Sequence, residues 1–561
     1  MNKLRVGILT DSNQIPHWAY SMLAEIQKDD CAEIVLVVQK KHPAHRKENL
    51  LTRLRKKYNV LFYFLYLRVE RWLYHPNVDA FEEKNIKEII PGTEVLEVSC
   101  VEKQYSDYFH PADIDVIISK NIDVFIRLGF RILRGDILRA ARYGIWSFHH
   151  GDNTIYRGGP AGCWEVFQQK NEVGSVLQIL TEDLDNGIVI YRSWSPVYTL
   201  QNNTLNGFFW KTSQFIPRKL KELYRSGWTA FSTKFESDNQ ALQYYSGRNY
   251  KVPTNSEFLP LLFSLCWKWI KQKSGKLFYY KQWILMYSFG QNNVRPTSLF
   301  RYKRILPPKN RYWADPCVIF EDGKHFIFFE EVIYQKGKEE GHICVMELSP
   351  DGIPGTKAVV LKKDYHLSSP TVFRYKGQIY MIPESSGNAT IELYKSVRFP
   401  YEWEFVKNIM EGIKAVDTTF FEQDGKCWLY TGFKSLPGTS SSEELYLFYA
   451  DSLFAEKWTS HPMNPVVSDV RSARPAGRLF WHNNRLYRPS QDCSVRYGYS
   501  LIISEIDLIS PVGYQEHAVT SIRPEWDKDV FGIHTLTNEE NLYVVDALIR
   551  RRMHWFRFTK S

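Results

Sequence analysis

The sequence predicts a multidomain protein, with an N-terminal α/β domain built on a parallel sheet and a C-terminal all-β propeller of five blades. Three observations predict it. The chain has 561 residues, which is more than one ordinary hydrophobic core accommodates. Short apolar runs alternate with helix-like segments up to about residue 230. From about residue 280, hairpin-like units recur at intervals of about 50 residues.

The N-terminal half has the pattern of strand–helix–strand units. LRVGILTD and AEIVLVVQ are apolar runs typical of buried strands, and IPHWAYSMLAEIQ between them has the pattern of a helix. IDVFIRLG, GDILRAARYG and IWSFHH continue this order. Alternating strands and helices indicate a parallel sheet, whose ligands bind at the carboxyl ends of strands. His149 and His150 lie at such an end.

The C-terminal half repeats a hairpin with a tight turn. DPCVIFEDGKHFIFFEE has alternating strands joined by Asp-Gly, a two-residue turn signal. Asp315, Ser369 and Asp417 each lie eight residues before a turn glycine, and looser copies start near Arg474 and His534. A single hairpin unit cannot bury both its faces, so such repeats predict a propeller.

A helical connector is expected between the halves. We predict an α/β domain at 1–245, the connector at 246–280 and the propeller at 281–561. The connector is apolar on one face and basic on the other. The apolar run VLFYFLYL, residues 60–67, also lies between basic residues and is too short to span a bilayer. Either segment could form a peripheral membrane contact; packing against its own domain is the alternative.

Composition narrows the class of protein and its partners. The net charge of +10 is modest for this length and spread along the chain, so no nucleic-acid partner is expected. No two of the eight cysteines form a CxxC pair, which argues against a zinc ribbon or a disulfide framework. The N-terminus has no signal-peptide pattern. We expect a cytoplasmic protein, which is membrane-peripheral if the basic helices bind lipid. The oligomeric state is not predicted.

The stretch from residue 122 to 190 resembles the catalytic core of folate-dependent formyltransferases. The pieces that carry the resemblance are, in order, LGFRIL at 128–133, YGIWSFHH at 143–150, YRGGPAG at 156–162 and LDNGIVI at 184–190. His149 and Asp185 are 36 residues apart, as that family requires. The resemblance implies a Rossmann-like fold for the first 230 residues or so, and N-formyl transfer from 10-formyltetrahydrofolate to an amine.

The resemblance also implies roles for individual residues. His149 would be the base, Asp185 the carboxylate that orients it, and Ser147 the donor to the oxyanion, at the position where the family has asparagine. His150 or Asn153 could replace that donor. The remaining residues of the substrate and cofactor loop are Arg157, Gly158 and Gly129. Two adjacent histidines at a strand end point to opposite sides, so no metal site is expected.

The hairpin repeat resembles the five-bladed propellers of furanosidase-type glycoside hydrolases. In that family, carboxylates gather at the starts of the inner strands. Here the predicted pocket consists of Asp315, Glu384, Asp417 and Arg474, with Trp313 as a flanking aromatic residue. Other returning acids are Glu330–Glu331, Asp492 and Asp546. A ring of acids could hydrolyse a glycoside or bind a sugar without cleaving it.

Three hypotheses for function follow. The leading one is a folate-dependent N-formyltransferase that acts on an amino sugar, nucleotide-linked or part of a glycan, with a propeller that binds carbohydrate. The second is a glycoside hydrolase that uses the propeller and carries an inactive formyltransferase-like domain. The third is a non-catalytic glycan-binding scaffold.

Overall fold

The computed structural model describes residues 2–41, 58–103, 105–183, 187–240, 244–290, 295–334 and 340–552. The chain divides into two compact units. The first contains residues 1–266 and the short segment 436–439, and the second contains residues 267–435 and 440–561. The division falls inside a long helix, within the segment predicted as connector. The predicted domain boundaries at 245 and 280 remain predictions.

The first unit contains most of the helices. They are α1 (His17–Lys28), α2 (Leu61–Leu73), α3 (Pro111–Ser119), α4 (Cys163–Phe167), α5 (Gln201–Thr212), α6 (Phe215–Gln240) and the start of α7 (Asn255–Phe278). Helix α6 has a kink at Gly227, whose φ of 72° is not helical.

The strands of the first unit form one large sheet and three small ones. They are β1 (Leu4–Thr10), β2 (Gln14–Pro16), β3 (Ala32–Lys40), β4 (Glu83–Asn85), β5 (Glu94–Val98), β6 (Cys100–Lys103), β7 (Ser106–Phe109), β8 (Val124–Arg127), β9 (Ile132–Arg134), β10 (Ile145–His149), β11 (Arg157–Gly158), β12 (Glu172–Ile179), β13 (Ile188–Pro196) and β14 (Asn249–Tyr250). The large sheet has the order β13-β12-β10-β8-β1-β3-β5. Strands β10, β8, β1, β3 and β5 are parallel, whereas β12 and β13 are antiparallel additions.

Alternating side chains of the large sheet bury two hydrophobic clusters. Val6 and Ile8 of β1 belong to a cluster that includes residues of α1 and α6, whereas Leu9 belongs to a cluster that includes Ile114 and Ile117 of α3. Successive side chains of a strand point to opposite faces, so both faces of this sheet are covered.

The second unit consists of antiparallel sheets. Its strands are β15 (Tyr279–Phe289), β16 (Lys303–Ile305), β17 (Arg311–Glu321), β18 (Lys324–Ile333), β19 (Gly341–Leu348), β20 (Ala358–Leu361), β21 (Ser368–Tyr375), β22 (Gln378–Ser385), β23 (Thr390–Arg398), β24 (Glu402–Glu411), β25 (Val416–Gln423), β26 (Lys426–Gly432), β27 (Leu445–Ala450), β28 (Thr459–Ser460), β29 (Arg474–Pro475), β30 (Phe480–His482), β31 (Arg485–Asp492), β32 (Ser500–Ile509), β33 (Tyr514–Ile522), β34 (Val530–Gly532), β35 (Leu536–Glu539) and β36 (Leu542–Arg552).

These strands pair mostly with their neighbours in the chain. Three sheets contain β17–β20, β21–β24 and β25–β28, and a fourth contains β29–β33. The fifth pairs β15 with β36, and adds β16, β34 and β35. Sheets of four or five sequential antiparallel strands are the units of propeller-like folds.

Two-residue turns close the hairpins of these sheets. Asp322 and Gly323 both have positive φ, as type I′ turns require, and they join Glu321 of β17 to Lys324 of β18. Positive φ values recur at the corresponding turns of the other sheets, for example at Asp424 and Gly425. The turn chemistry therefore explains why the hairpins pair in one register.

The predicted fold class is wrong and is corrected here. The described residues form nine sheets, and β-structure with a propeller-like fold dominates the chain. The sheet of the first unit is mixed, not a purely parallel Rossmann-like sheet, because β12 and β13 extend it in the antiparallel sense. Alternation of apolar runs predicted strands but could not show the direction of the last two, since direction is set by the connections between strands.

Candidate functional site

Backbone bulges in the second unit place polar residues at equivalent positions in three sheets. The pairing of β17 with β18 shifts between Ala314 and Cys317, and the same shift occurs around Ser369 and Asp417. Asp315, Ser369 and Asp417 all have positive φ, at 52°, 40° and 48°. Bulges redirect side chains, and strained residues of this kind concentrate at functional sites.

Carboxylates accept the backbone N–H groups of these bulges. The N–H of Asp315 donates to Asp546 at 3.1 Å, and that of Ser369 donates to Asp315 at 3.2 Å. The N–H of Asp417 donates to Glu384 at 3.1 Å. Each bulge is therefore held by an acid from a different sheet of the second unit. We call the group Asp315, Glu330, Glu384, Asp417, Arg474, Tyr497, His534 and Asp546 the acidic cluster.

His534 lies between two of the carboxylates. Its Nδ1 is 2.6 Å from Asp546, its Nε2 is 3.2 Å from Asp315, and the residue is 2% exposed. Burial disfavours the charged ring, but Asp546 and Asp315 outweigh it and raise the pKa of His534 well above its ordinary value. The Trp283 ring stacks on the imidazole at 4.0 Å. His534 is therefore a buried imidazolium.

Arg474 supplies the second cation of the acidic cluster. Its Nε donates to Asp417 at 2.6 Å, and Gln491 Nε2 donates to the same carboxylate oxygen at 3.1 Å. Burial disfavours the guanidinium charge, but Asp417 raises the pKa of Arg474 above its ordinary value. The ring of Tyr497 lies 4.8 Å from the guanidinium carbon, and this tyrosine is 47% exposed. The cluster thus reaches solvent beside a cation and an aromatic ring.

Two carboxyl groups of the acidic cluster have raised pKa values. Burial and the charge of Asp417 raise the pKa of Glu384 to about 7. Burial raises the pKa of Glu330 to about 7, although His366 lies 2.9 Å from it. Near neutral pH each group can therefore donate as well as accept a hydrogen bond.

Two groups in the described residues have the ligand types and spacing to hold a metal ion. They are Asp315, His534 and Asp546, and Glu331, His342 and Cys344. In the first group both ring nitrogens of His534 face carboxylates. In the second, Glu331 already binds Lys357 at 2.8 Å. These ion pairs compete with a metal, and the expectation of no metal site remains a prediction.

The four residues of the predicted propeller pocket lie together in the acidic cluster. Glu384, Asp417 and Arg474 are joined through the contacts above, and Asp315 interacts with Arg474 and Asp417 through charge. Sequence reasoning missed Tyr497 and Gln491, which lie outside the hairpin starts it considered. Trp313 instead donates to Glu331 at 2.8 Å. Asp492 binds Ser494 and Ser500 and is not part of the cluster.

The predicted catalytic residues of the first unit are bound mainly by backbone and by an arginine. His149 Nε2 lies 2.9 Å from the carbonyl oxygen of Tyr156. The Ser147 hydroxyl accepts from Arg127 at 3.3 Å and reaches the carbonyl oxygen of Phe148 at 3.5 Å. Ser147 is also buried. The Ser147 hydroxyl is thus held by Arg127, and its role as a donor to an oxyanion remains a prediction. Asp185 lies outside the described residues.

His150 is packed among aromatic rings. It stacks on Phe209 at 3.9 Å, lies 5.4 Å from the Trp18 ring and approaches the Thr212 hydroxyl at 3.3 Å. Desolvation lowers the pKa of His150 to about 3, with a smaller contribution from His149. His150 is thus a partly buried residue that is neutral at physiological pH.

The predicted loop residues form a separate network. Asn153 is buried, accepts from Arg192 at 2.7 Å through its side chain, and accepts from Arg157 at 2.9 Å through its backbone. Gly158 pairs with Tyr250, and a Cβ there would lie 2.2 Å from the Tyr250 carbonyl oxygen. A Cβ on Gly129 would lie 2.4 Å from the Asp11 nitrogen. Both glycines are therefore required for close backbone packing.

Glu165 is a further titratable group near this loop that sequence reasoning missed. It is buried on α4, and burial, with a smaller contribution from Asp152, raises the pKa of Glu165 to about 7. The pattern of a short helix after a glycine-rich loop gave no sign of a buried carboxyl group.

Comparison with known proteins finds a family match in the second unit. Residues 306–534 match the family model described as glucosamine inositolphosphorylceramide transferase 1, N-terminal. Every residue of the acidic cluster except Asp546 falls in this range.

Two curated relatives carry the same description. Glucosamine inositolphosphorylceramide transferase 1 of Arabidopsis thaliana is 37% identical over 216 residues, which cover 37% of this chain and 27% of that protein. The protein of the same name from Oryza sativa subsp. japonica is 32% identical over 212 residues, covering 37% of this chain and 28% of that protein. The matched part thus spans little more than a quarter of each relative.

Among solved structures, the chain is similar to Zg3597, a family 117 glycoside hydrolase of the marine bacterium Zobellia galactanivorans. The identity is 12% and the TM-score is 0.32, over 49% of this chain and 91% of that one. This similarity is too low to support an argument about function.

The comparisons correct the functional hypotheses. The matched family and relatives are glucosamine inositolphosphorylceramide transferases, not folate-dependent formyltransferases. The predicted N-formyltransferase activity, its enzyme class, its amino-sugar acceptor and 10-formyltetrahydrofolate as co-substrate are therefore wrong. The alternatives, a glycoside hydrolase and a non-catalytic glycan-binding scaffold, fit these relatives no better. The coarser expectation, that the protein acts on a small-molecule substrate, is consistent with the description of these relatives as transferases.

Proposed function

We propose that this chain takes part in glycosyl transfer to an inositolphosphoryl lipid, and that the acidic cluster binds the sugar or inositol part of the substrate. The observation that carries the proposal is the position of the cluster: seven of its eight residues lie within the segment that matches the transferase family. The relatives extend well beyond the matched segment, so the activity of the whole relative is part of the proposal.

The chemistry of the acidic cluster suits a ligand with many hydroxyl groups. Each hydroxyl donates one hydrogen bond and accepts others, so its binding site needs both acceptors and donors. Glu384 supplies either, because its pKa is about 7. Arg474 supplies N–H groups, and the half-exposed ring of Tyr497 offers a face against which a sugar ring packs.

A lipid substrate requires contact with a membrane surface, and the outer face of α2 supports this part of the proposal. The inner face of that helix packs through Tyr63 against Phe258 of α7. The outer face exposes Leu61, Phe62, Phe64, Leu65, Val69, Trp72 and Leu73. Exposed apolar patches of this kind mark interaction sites.

Charge favours an anionic membrane as the partner of this face. Arg68 and Arg71 are exposed on α2 among the apolar side chains, an arrangement typical of helices that lie in the membrane interface. Among the described residues, no helix is long and apolar enough to cross a membrane. We therefore propose a peripheral protein on the cytoplasmic side of a membrane.

Ligand binding tests the role of the acidic cluster. Calorimetry on the full chain with glucosamine, myo-inositol and myo-inositol 1-phosphate should show saturable binding of at least one of them. Tyr497→Ala and Glu384→Gln should each weaken binding at least about tenfold, the scale of a lost stacking face or charged hydrogen bond. Tyr401→Ala removes another half-exposed tyrosine of the same unit and should leave affinity unchanged. Equal affinity in all four proteins contradicts the assignment.

Transfer itself is tested by mass spectrometry. The chain is incubated with nucleotide-activated glucosamine and vesicles that contain inositolphosphorylceramide, and the lipid is examined for added hexosamine. Binding without transfer would show that this chain supplies recognition only. If the chain shows no binding and no transfer, the proposal is overturned.

Vesicle sedimentation tests the membrane contact. The double variant Phe64→Ser/Trp72→Ser should bind anionic vesicles several-fold more weakly than the parent chain, because interfacial binding scales with buried apolar area. The matched control Val397→Ser/Val512→Ser removes exposed apolar groups from the second unit and should bind like the parent. Equal loss in both variants would contradict a specific role for α2.

A further inference from the structure

A cavity of about 670 Å³ lies in the second unit, between the sheet of β29–β33 and the sheet that joins β15 to β36. Its walls come from residues 295–300 and Tyr302, from the β30–β31 hairpin, from the end of β33 and from the β35–β36 hairpin. The volume is in the range of small-molecule sites. None of its lining residues belongs to the acidic cluster, so it is a separate candidate site.

The charged groups that line this cavity are all basic. Arg295 and Arg523 contribute guanidinium groups and His482 an imidazole, while no aspartate or glutamate is among the lining residues. Within the described part of the chain, neither arginine forms an ion pair with a carboxylate. Arg295 is held in place by the Phe480 ring, 4.5 Å from its guanidinium carbon, and donates to the carbonyl oxygen of Trp481 at 3.3 Å.

Trp526 also lines the cavity. Its indole Nε1 is buried from the cavity, so the residue contributes its ring and not a hydrogen-bond donor. A ligand in the cavity would change the surroundings of this indole, which gives a fluorescence signal for binding.

The rest of the lining mixes aliphatic and aromatic side chains with the small polar side chains of Thr297, Ser298, Thr520, Ser521 and Asn538. Leu299, Ile503, Ile522 and Leu536 present aliphatic side chains to the cavity. Aliphatic walls favour an alkyl chain because its burial removes apolar area from water. A lining that contains both basic and aliphatic side chains therefore matches a ligand with both an anionic head and an apolar chain.

We propose that this cavity binds an amphipathic anion, an alkyl chain that ends in a phosphate group. The Arg295 guanidinium, with its planar donors, binds the phosphate oxygens, and the aliphatic wall covers the first part of the chain. This inference goes beyond the proposed function, because it rests on a different site and stands whether or not the acidic cluster binds a sugar.

The test uses the full chain and dodecyl phosphate below its micelle concentration, with Trp fluorescence and calorimetry as readouts. Dodecyl phosphate should bind with one-to-one stoichiometry. Arg295→Met, which keeps the length of the side chain and removes its charge, should weaken binding at least tenfold. Trp526→Phe should reduce the fluorescence change. Arg301→Met removes an exposed arginine outside the cavity lining and should bind like the parent chain.

Three controls separate this site from the others. Inorganic phosphate and dodecyl maltoside, which each carry one half of the ligand, should bind at least tenfold more weakly than dodecyl phosphate. Tyr497→Ala should bind dodecyl phosphate normally, so failure of the acidic cluster does not imply failure here. Phe64→Ser/Trp72→Ser should also bind normally, which excludes attachment to the outer face of α2.

Several results would overturn the proposal. They are unchanged affinity in Arg295→Met with a parent-like melting temperature, equal binding of dodecyl maltoside, or saturation by a nucleoside monophosphate at the same site with greater affinity. If Arg295→Met fails to fold, Ile503→Trp replaces it in the test, because it fills the cavity without removing a charge. Unchanged affinity in that variant would also overturn the proposal.

Discussion

The His149 loop of the first unit and the acidic cluster of the second unit both gather polar side chains, but they satisfy them differently. His149 contacts a backbone carbonyl group, and the Asn153 side chain accepts a hydrogen bond from Arg192. In the acidic cluster, carboxylates from other sheets balance His534 and Arg474, and His534 also pairs with Asp546 of its own sheet. Polar groups bound to backbone stabilise a loop, whereas buried charges that depend on one another form a site that fails when one member is removed.

The largest effect is expected for Asp546→Ala. This variant leaves His534 as a buried cation with one carboxylate fewer and removes the acceptor of the Asp315 N–H. Loss of one partner of a buried ion pair costs about 3–5 kcal/mol, and urea unfolding measures it. Asp507→Asn, an exposed acid of the same unit paired with His517, should change the unfolding free energy by less than about 1 kcal/mol. If Asp546→Ala and Asp507→Asn change the unfolding free energy equally, the buried charges of the acidic cluster do not depend on one another.

The second prediction concerns the pH dependence of stability through Glu384. Its pKa is raised from 4.5 to about 7 in the folded chain, so the folded state holds a proton that the unfolded state releases. Its contribution is therefore present below pH 4.5 and is lost as pH rises through about 7. Over that window, the parent chain should lose more stability than Glu384→Gln does. If stability changes with pH in the same way in both proteins, the pKa of Glu384 is not raised by folding. Glu402→Gln, an exposed control, should follow the parent.

The third prediction tests the His149 loop. His149→Ala removes one hydrogen bond to the Tyr156 carbonyl, and a single bond of this kind contributes about 1 kcal/mol. Urea unfolding should show a loss of that size. A loss as large as that of Asp546→Ala would mean that the loop, too, is a cooperative network.

The last prediction concerns His150→Phe. A phenyl ring has nearly the same shape and keeps the stacking on Phe209, so stability near neutral pH should change by less than about 1.5 kcal/mol. The lowered pKa of His150, about 3, means that its burial costs stability as pH falls below 6.5 towards 3. The phenylalanine variant should resist acid better than the parent. Greater acid sensitivity in the variant would contradict a neutral, buried histidine.

Periodicity explains how much of the acidic cluster could be predicted from the sequence. Asp315, Ser369 and Asp417 have equal offsets from their turn glycines, and equal offsets in a repeat imply equal positions in successive sheets. His534 and Asp546 were weaker candidates because the fifth hairpin departs from the repeat. Tyr497 lies next to Gly498 in the connection between β31 and β32, far from any position that the repeat defines. Its distance from a turn glycine therefore could not identify it.

The first unit shows where short motifs mislead. The order of the motifs around His149 matched a known family, but a motif says which residues follow one another and not what each one contacts. Ser147 pairs in register with Arg127 on the neighbouring strand, and that partner is 20 residues away in the chain. Asn153 depends in the same way on Arg192. Such contacts depend on the strand order of the sheet, which local patterns do not contain.

The pairing of β15 with β36 has a consequence for biosynthesis. These strands form eleven residue pairs, from Tyr279 with Arg552 to Phe289 with Leu542. The sheet that contains β15 and β36 therefore cannot form completely until the ribosome has made residue 552 and released it from its exit tunnel. Because Asp546 lies on β36, His534 meets its second carboxylate only at that moment. A nascent chain truncated before Leu542 would expose the edge of β15 and lack a complete acidic cluster, which makes it a substrate for chaperones and proteases.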